Sequence, residues 1–403
     1  MPKNCLSCNS NSISFLFSLG SMPPVNAFIA EGEPEQEFPL NLYFCECCNL
    51  IQLGELVPPE KLFSNYLHMS SASSGNKTHL NNVVKILDNY NLIIGSNILE
   101  IGSNDGFLLS LLKPKAASVI GVDPASNLAI EAKARNVNSF VGFFDETFAL
   151  SMKSQGMKFD TIIALNVMAH TPTFISALKG IKVILNEGGT FMMENAYVVD
   201  TILQGQFDTI YHEHVFCFSL HSLLYAFNLV GLKAVDAEII PTQGKSIRIF
   251  VKHKLDTTKP SQNIEKIIKY EKDSGFQSLN SFKRASSKIL IFKNRIKNYL
   301  EKNKSKKFIG LGAPARGVVI LNYCDINKNQ IEFIVDDTPL KRGKLTPGSG
   351  IPVKDWSDLN KIEHTAFILL SWNYADDIID KLKTLGLKGT ILIPFPEFRE
   401  III

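Results

Sequence analysis

Four cysteines in two close pairs constrain the start of this chain more than any other feature. They are Cys5-Leu6-Ser7-Cys8 and Cys45-Glu46-Cys47-Cys48, and five of the seven cysteines fall within the first 48 residues. A two-residue gap lets both thiolates of a pair face one Zn²⁺, and two such knuckles complete a tetrahedral four-thiolate site. Cys5, Cys8, Cys45 and Cys48 are the expected ligands, and Cys47 is a spare. The 36 residues between the pairs call for an inserted loop. A closed site of this kind leaves no position for water, so its expected role is structural: it folds a small lobe with little core of its own. Disulfides and inert buried thiols are the alternatives, and a reducing compartment disfavours the first.

A chain of 403 residues, 45% hydrophobic and 20% charged, is an ordinary globular protein of two or three domains. Disordered, collagen-like and small disulfide-scaffold classes are excluded. Lys and Arg number 42 against 39 Asp and Glu, a net charge of +3, so the bulk charge points to no nucleic-acid partner. There is no apolar run of about 18 residues, so no membrane span is expected. Residues 13–19 are apolar, but only Lys3 supplies charge before them, two cysteines precede them and Pro23 and Pro24 follow. A secretory signal is therefore disfavoured, and the expected location is cytoplasmic.

Beyond the cysteines the chain alternates apolar strands with helical patterns, an α/β arrangement. Strands are expected at 98–101, 118–122, 161–165, 190–193 and 246–251, and again at 331–335 and 366–370. The intervening segment 261–307 holds 13 Lys or Arg against 4 Asp or Glu, with Ile and Leu at helical spacing. It reads as a solvated pair of linker helices, or alternatively as a basic patch for a phosphorylated ligand. The expected division is a zinc lobe and active-site loop at 1–74, a cofactor-binding domain at 75–256, a helical linker at 257–307 and a second Rossmann-like unit at 308–403.

Residues 98–107 run from a strand through Glu100, Gly102, Ser103, Asn104, Asp105 and Gly106 into an apolar helix. Glycines here let the backbone approach a bound nucleoside, and Asp123, at the end of the next strand, is placed to accept both ribose hydroxyls. Glu100 and Asp105 would repel a pyrophosphate. They suit a cationic cofactor, S-adenosylmethionine, which carries an ammonium and a positive sulfur. Further on, Tyr211-His212-Glu213-His214 supplies several proton-transfer groups in four positions. If extended, Tyr211 and Glu213 share one face and His212 and His214 the other; a turn would bring them all to a cleft. A polar surface loop and a His–Glu metal site are the alternatives. Asn166 and His170 lie just beyond a strand's carboxyl end, where doubly wound sheets carry their sites.

Taken together, these motifs resemble the S-adenosylmethionine-dependent C-methyltransferases of nucleotide-linked deoxysugars. The resemblance covers nearly the whole chain. It rests on the cysteine lobe, residues 100–106, 166–170 (Asn-Val-Met-Ala-His) and 207–214 (Phe-Asp-Thr-Ile-Tyr-His-Glu-His), and on 310–317, 335–339 and Trp372-Asn373-Tyr374 near the end. It implies a central class I methyltransferase domain and a C-terminal Rossmann-like domain that helps bind the nucleotide. The implied substrate is a 4-keto-6-deoxy sugar on GDP or dTDP, methylated at carbon 3 through an enolate, and family members often work as monomers. His214 is then the implied base, with Tyr211, Glu213, Asn166, His170 and Tyr66 positioning the sugar or stabilising charge. His68 stands where the family often has a second tyrosine, and Lys245 where it has glycine. Lys245, Arg316, Lys341, Trp372 and Tyr374 are candidate substrate contacts. For Arg316, Lys341, Trp372 and Tyr374, a surface or core role is an equal alternative.

Overall fold

A computed structural model describes residues 3–63, 66, 69–361, 365–395 and 397–403. Position 68, the substituted tyrosine site, lies outside them.

The two cysteine pairs form matching turns. The Asn9 N–H donates to the Cys5 carbonyl at 3.0 Å, and the Asn49 N–H donates to the Cys45 carbonyl at 2.9 Å. Both asparagines are left-handed, at φ 59° and 57°, a conformation Asn tolerates better than most residues. Strands Ile13–Met22, Phe38–Cys45 and Ile51–Leu53 carry these turns in an antiparallel sheet. The apolar stretch at 13–19 is thus a strand. A fourth strand, Phe216–Cys217, joins this sheet from far along the chain, pairing with Ile51–Leu53.

The second sheet has seven strands, in the order Leu232–Ile240, Ser246–His253, Leu185–Ala196, Phe159–Leu165, Asn97–Ile101, Ser118–Asp123, Asn138–Val141. Ser246–His253 runs antiparallel to both its neighbours, and the others are parallel. Asn97–Ile101 lies at the switch point, where the chain leaves in one direction and later returns to the other side. That opens a crevice beyond its carboxyl end. Its last four residues are all buried, as expected of a strand covered on both faces.

The third sheet runs Val353–Lys354, Ile331–Val335, Phe308–Leu311, Thr365–Leu369, Gly389–Ile393, Arg399–Ile402, parallel except for the last strand. The basic segment forms helices Gln262–Asp273 and Leu279–Lys302. They are not solvated on all sides: Ile264, Ile267, Phe282, Ala285, Ile289 and Ile296 are buried. Phe282 packs against Phe44 of the N-terminal sheet, with ring centroids 5.0 Å apart. The helical spacing of Ile and Leu, rather than the charge excess, decides how this segment packs. Among the described residues, no helix is long and apolar enough to cross a membrane.

Candidate active site

The four expected zinc ligands converge. Their sulfurs lie within 4.8 Å of one another, with Cys5–Cys48 at 3.6 Å and Cys8–Cys45 at 3.5 Å. Four thiolates at ordinary Zn–S bond lengths sit about 3.8 Å apart, so the cluster fits a tetrahedral ion. Cys47 is exposed and lies 3.5 Å from the Tyr225 hydroxyl.

At the crevice, Gly102 turns the chain out of its strand at φ +70°, where an added Cβ would come within 2.1 Å of Val167. Gly106 starts the following helix from the left-handed region. The backbone N–H groups of Asn104 and Ala125 donate to the Asp123 carboxylate at 2.8 and 2.9 Å. Asp105 accepts from the Ser71 N–H at 3.2 Å and pairs with Arg135 at 3.4 Å. Asn104 accepts from the Ser70 N–H at 2.8 Å. The segment after the cysteine lobe is thus tied down over the glycine loop. Glu100 differs from the other two acids: it is buried, and its Oε2 has no partner among the described residues. Burial, with the nearby Asp123 and Asp105 charges, holds its carboxyl well above the usual range. An unpaired buried acid beside two more acids fits a cationic ligand such as S-adenosylmethionine.

The polar string forms two successive turns. Ile210 N–H donates to the Phe207 carbonyl at 2.9 Å, and His214 N–H to the Tyr211 carbonyl at 2.8 Å. These turns separate the two histidines. His212 is buried, and its Nε2 donates to the Phe38 carbonyl at 3.0 Å, away from the crevice. His214 Nδ1 lies 2.6 Å from the Thr209 carbonyl. A carbonyl only accepts, so Nδ1 carries the proton and Nε2 does not. The His214 ring lies 4.0 Å from that of Tyr211 and 4.8 Å from that of His170, centroid to centroid. Burial, and secondarily the Arg316 charge, pushes His214 down to about 4. Burial and His214 hold His170 low as well.

Glu213 accepts from Asn26 Nδ2 at 2.6 Å and from the Tyr66 hydroxyl at 3.3 Å. Burial raises it to about 7, against these two bonds and Lys341. Tyr66 is fixed at its backbone, where the N–H donates to Asn127 Oδ1 at 3.2 Å and the carbonyl accepts from Asn127 Nδ2 at 3.0 Å. It therefore bridges the helix that follows Asp123 and the polar string. Asn166, left-handed at φ 56°, lines a cavity with Asn195, Thr209, His214 and Cys217. Asn195 is 1% exposed, and its Oδ1 has no partner among the described residues.

The C-terminal candidates are held in varied ways. Arg316 donates to both oxygens of buried Asp208 at 2.9 and 3.0 Å, and the Trp372 indole donates to Asp208 at 2.7 Å. Lys341 donates to the Ala313 carbonyl at 2.9 Å. Lys245 sits at φ +93°, a region that favours the glycine expected there, and pairs with Asp200 at 3.1 Å. Tyr374 is 40% exposed, beside Gly75. The C-terminal glycine loop uses the same device as the first: the Ala313 N–H donates to Asp336 at 2.7 Å. An added Cβ on Gly312 would come within 1.9 Å of the Ser371 hydroxyl.

Asn26, Asn127, Asn195, Asp208 and Thr209 were not singled out in the sequence. Asn26 lies in the segment following the two prolines at 23–24, and Asp208 and Thr209 lie inside the 207–214 motif. Their roles depend on partners that no local pattern reveals.

Three family models match in order: a zinc-binding domain over residues 5–63, a methyltransferase domain over 73–237 and a C-methyltransferase C-terminal domain over 241–396. The C-methyltransferase NovU of Streptomyces niveus is 30% identical over 98% of this chain and 96% of its own length. A tRNA U34 carboxymethyltransferase of Campylobacter jejuni (strain RM1221) is 29% identical, but over only 26% of this chain and 36% of its own. Magnesium protoporphyrin IX methyltransferase from Synechocystis PCC 6803 covers 44% of this chain and 79% of its own at 15% identity, with a TM-score of 0.34, too slight a likeness to bear on the site. With a relative matched along almost its whole length and all three models in register, the chain belongs to the C-methyltransferase family.

Proposed function

We propose that the enzyme methylates a carbon beside a ketone, carbon 3 of a 4-keto-6-deoxy sugar carried on GDP or dTDP. The observation that supports this reading most is the state of His214: protonated at Nδ1, unprotonated at Nε2, and lining a cavity with Asn166 and Asn195. Methylation of a hydroxyl can proceed with weak base assistance, whereas a carbon next to a ketone must first lose its proton. S-adenosylmethionine, when bound, supplies an electrophilic methyl group. His214 Nε2 takes the carbon-bound proton, and the electron pair moves toward the ketone oxygen. Tyr211 is kept protonated by burial and the nearby Glu213, so it can donate to that developing charge, while the Tyr66 hydroxyl donates to Glu213. Asn166 and Asn195 offer amide groups on the same cavity. The test is mass spectrometry of a panel of 4-keto-6-deoxy sugars on dTDP and GDP. Gain of a methyl on carbon is expected with at least one of them. Methylation on oxygen, or none across the panel, would reject the reading.

Two further outcomes follow from the acids. Glu213 is protonated below about 7 and ionised above, and its two donors, Asn26 and Tyr66, suit the ionised form. The kcat/KM profile should therefore rise with pH through about 7, and Glu213→Gln should remove that limb. A limb unchanged in the variant would assign it elsewhere. Glu100 must ionise to meet a cation, so cofactor affinity should tighten as pH rises. Glu100→Gln should weaken binding at least ~10-fold by calorimetry. An unaltered Kd would exclude Glu100 from the cofactor site.

A further inference from the structure

We infer that Asp208 is a positioning residue for His214, through which the C-terminal unit sets the tautomer of the base. The inference rests on His214 acting as proposed above. Asp208 and Thr209 are the two central residues of the turn closed by the bond from Ile210 N–H to the Phe207 carbonyl. This turn is anchored on both sides by the part of the chain beyond residue 257. Phe207 is fully buried, with its ring 5.5 Å from Phe292, 4.8 Å from Tyr323 and 5.9 Å from Phe395. The Asp208 carboxylate, also fully buried, is filled by the Arg316 guanidinium at 2.9 and 3.0 Å and the Trp372 indole at 2.7 Å. Arg316 in turn lies 4.4 Å over the Trp372 ring.

A turn pinned at its first two residues has little freedom left in its third. That third residue, Thr209, supplies the carbonyl that accepts the His214 Nδ1–H at 2.6 Å. If this carbonyl rotated away, the proton could sit on either nitrogen, and the form with Nε2 protonated has no lone pair there to act as a base. The cluster at Asp208 therefore has an active-site consequence beyond packing. It also gives Arg316 and Trp372 a task independent of any nucleotide. The described hydrogen bonds of Asp208 go to Arg316 and Trp372 and not to the loop at 100–106, so cofactor binding should not depend on it.

The test is Asp208→Asn, which keeps the shape of the side chain but removes its charge. Nitrogen-15 NMR on the histidine-labelled full chain reads the His214 tautomer, assigned by the signal lost in His214→Asn. Expected are a mixed His214 tautomer, unchanged S-adenosylmethionine affinity, and kcat down at least ~10-fold with little change in KM for the sugar. A tautomer identical to wild type would overturn the proposal whatever happens to turnover. A mixed tautomer with normal turnover would keep the positioning role and reject His214 as the base. Should Asp208→Asn not fold, Trp372→Phe decides: it keeps the ring and the Arg316 pair, and removes one bond to Asp208. The same change in smaller measure supports the proposal, and an unmoved tautomer overturns it.

Discussion

His214→Asn is expected to bind S-adenosylmethionine as the wild type does and to lose at least ~100-fold in kcat, the usual scale for loss of a positioned base. The glycine loop at residues 100–106, the proposed cofactor site, makes none of its described hydrogen bonds to His214, so affinity and turnover should separate. Asn can still accept in the same region but cannot take up a proton. Burial places the imidazolium at about 4, so the ring stays neutral across the working range, and its loss cannot be traced to a lost charge. Turnover within a few-fold of wild type would move the base to another group. His170, 4.8 Å away, would be the first to examine.

Removal of the zinc should lower turnover by a different route. In small zinc-folded domains the ion contributes on the order of 10 kcal/mol of folding free energy. Here the lobe also has its own sheet, so chelation should loosen it rather than unfold the chain. The lobe carries Asn26, which holds Glu213 at 2.6 Å, and precedes Tyr66, which donates to the same carboxylate. A strong chelator, or Cys45→Ser, should therefore lower zinc content and reduce kcat at least ~10-fold. Full zinc in Cys45→Ser would remove that cysteine from the site. Full activity in the zinc-free protein would break the link between lobe and active site.

Much of the fold was legible because its signals are local. Knuckle spacing placed the four sulfurs, and the left-handed Asn9 and Asn49 complete turns that the Cys-x-x-Cys pattern already implies. Apolar runs marked the strands that cross the sheets, because strands buried on both faces read as continuous hydrophobic stretches. The site was legible as a set of residue types but not as a geometry. Alternation along the polar string pairs His212 with His214, yet two consecutive turns send His212 to the Phe38 carbonyl. Arg316 and Trp372 drew attention as cation and aromatic for a nucleotide. Their observed partner is Asp208, which lies 108 and 164 positions away in sequence. The short Phe216–Cys217 strand pairs with Ile51–Leu53, a contact of the same long-range kind. Such contacts are chosen by tertiary packing, and no period in the sequence encodes them. The basic helices show the opposite lesson: their apolar spacing was informative, and their charge count was not.

His214, as proposed, removes a proton from the carbon beside a ketone. The most direct measurement is deuterium wash-in at carbon 3 of the 4-keto-6-deoxy sugar in deuterium oxide, followed by NMR with wild-type enzyme and with His214→Asn. Exchange is expected with the wild type and none above background with the variant. Exchange at the wild-type rate in His214→Asn would contradict it.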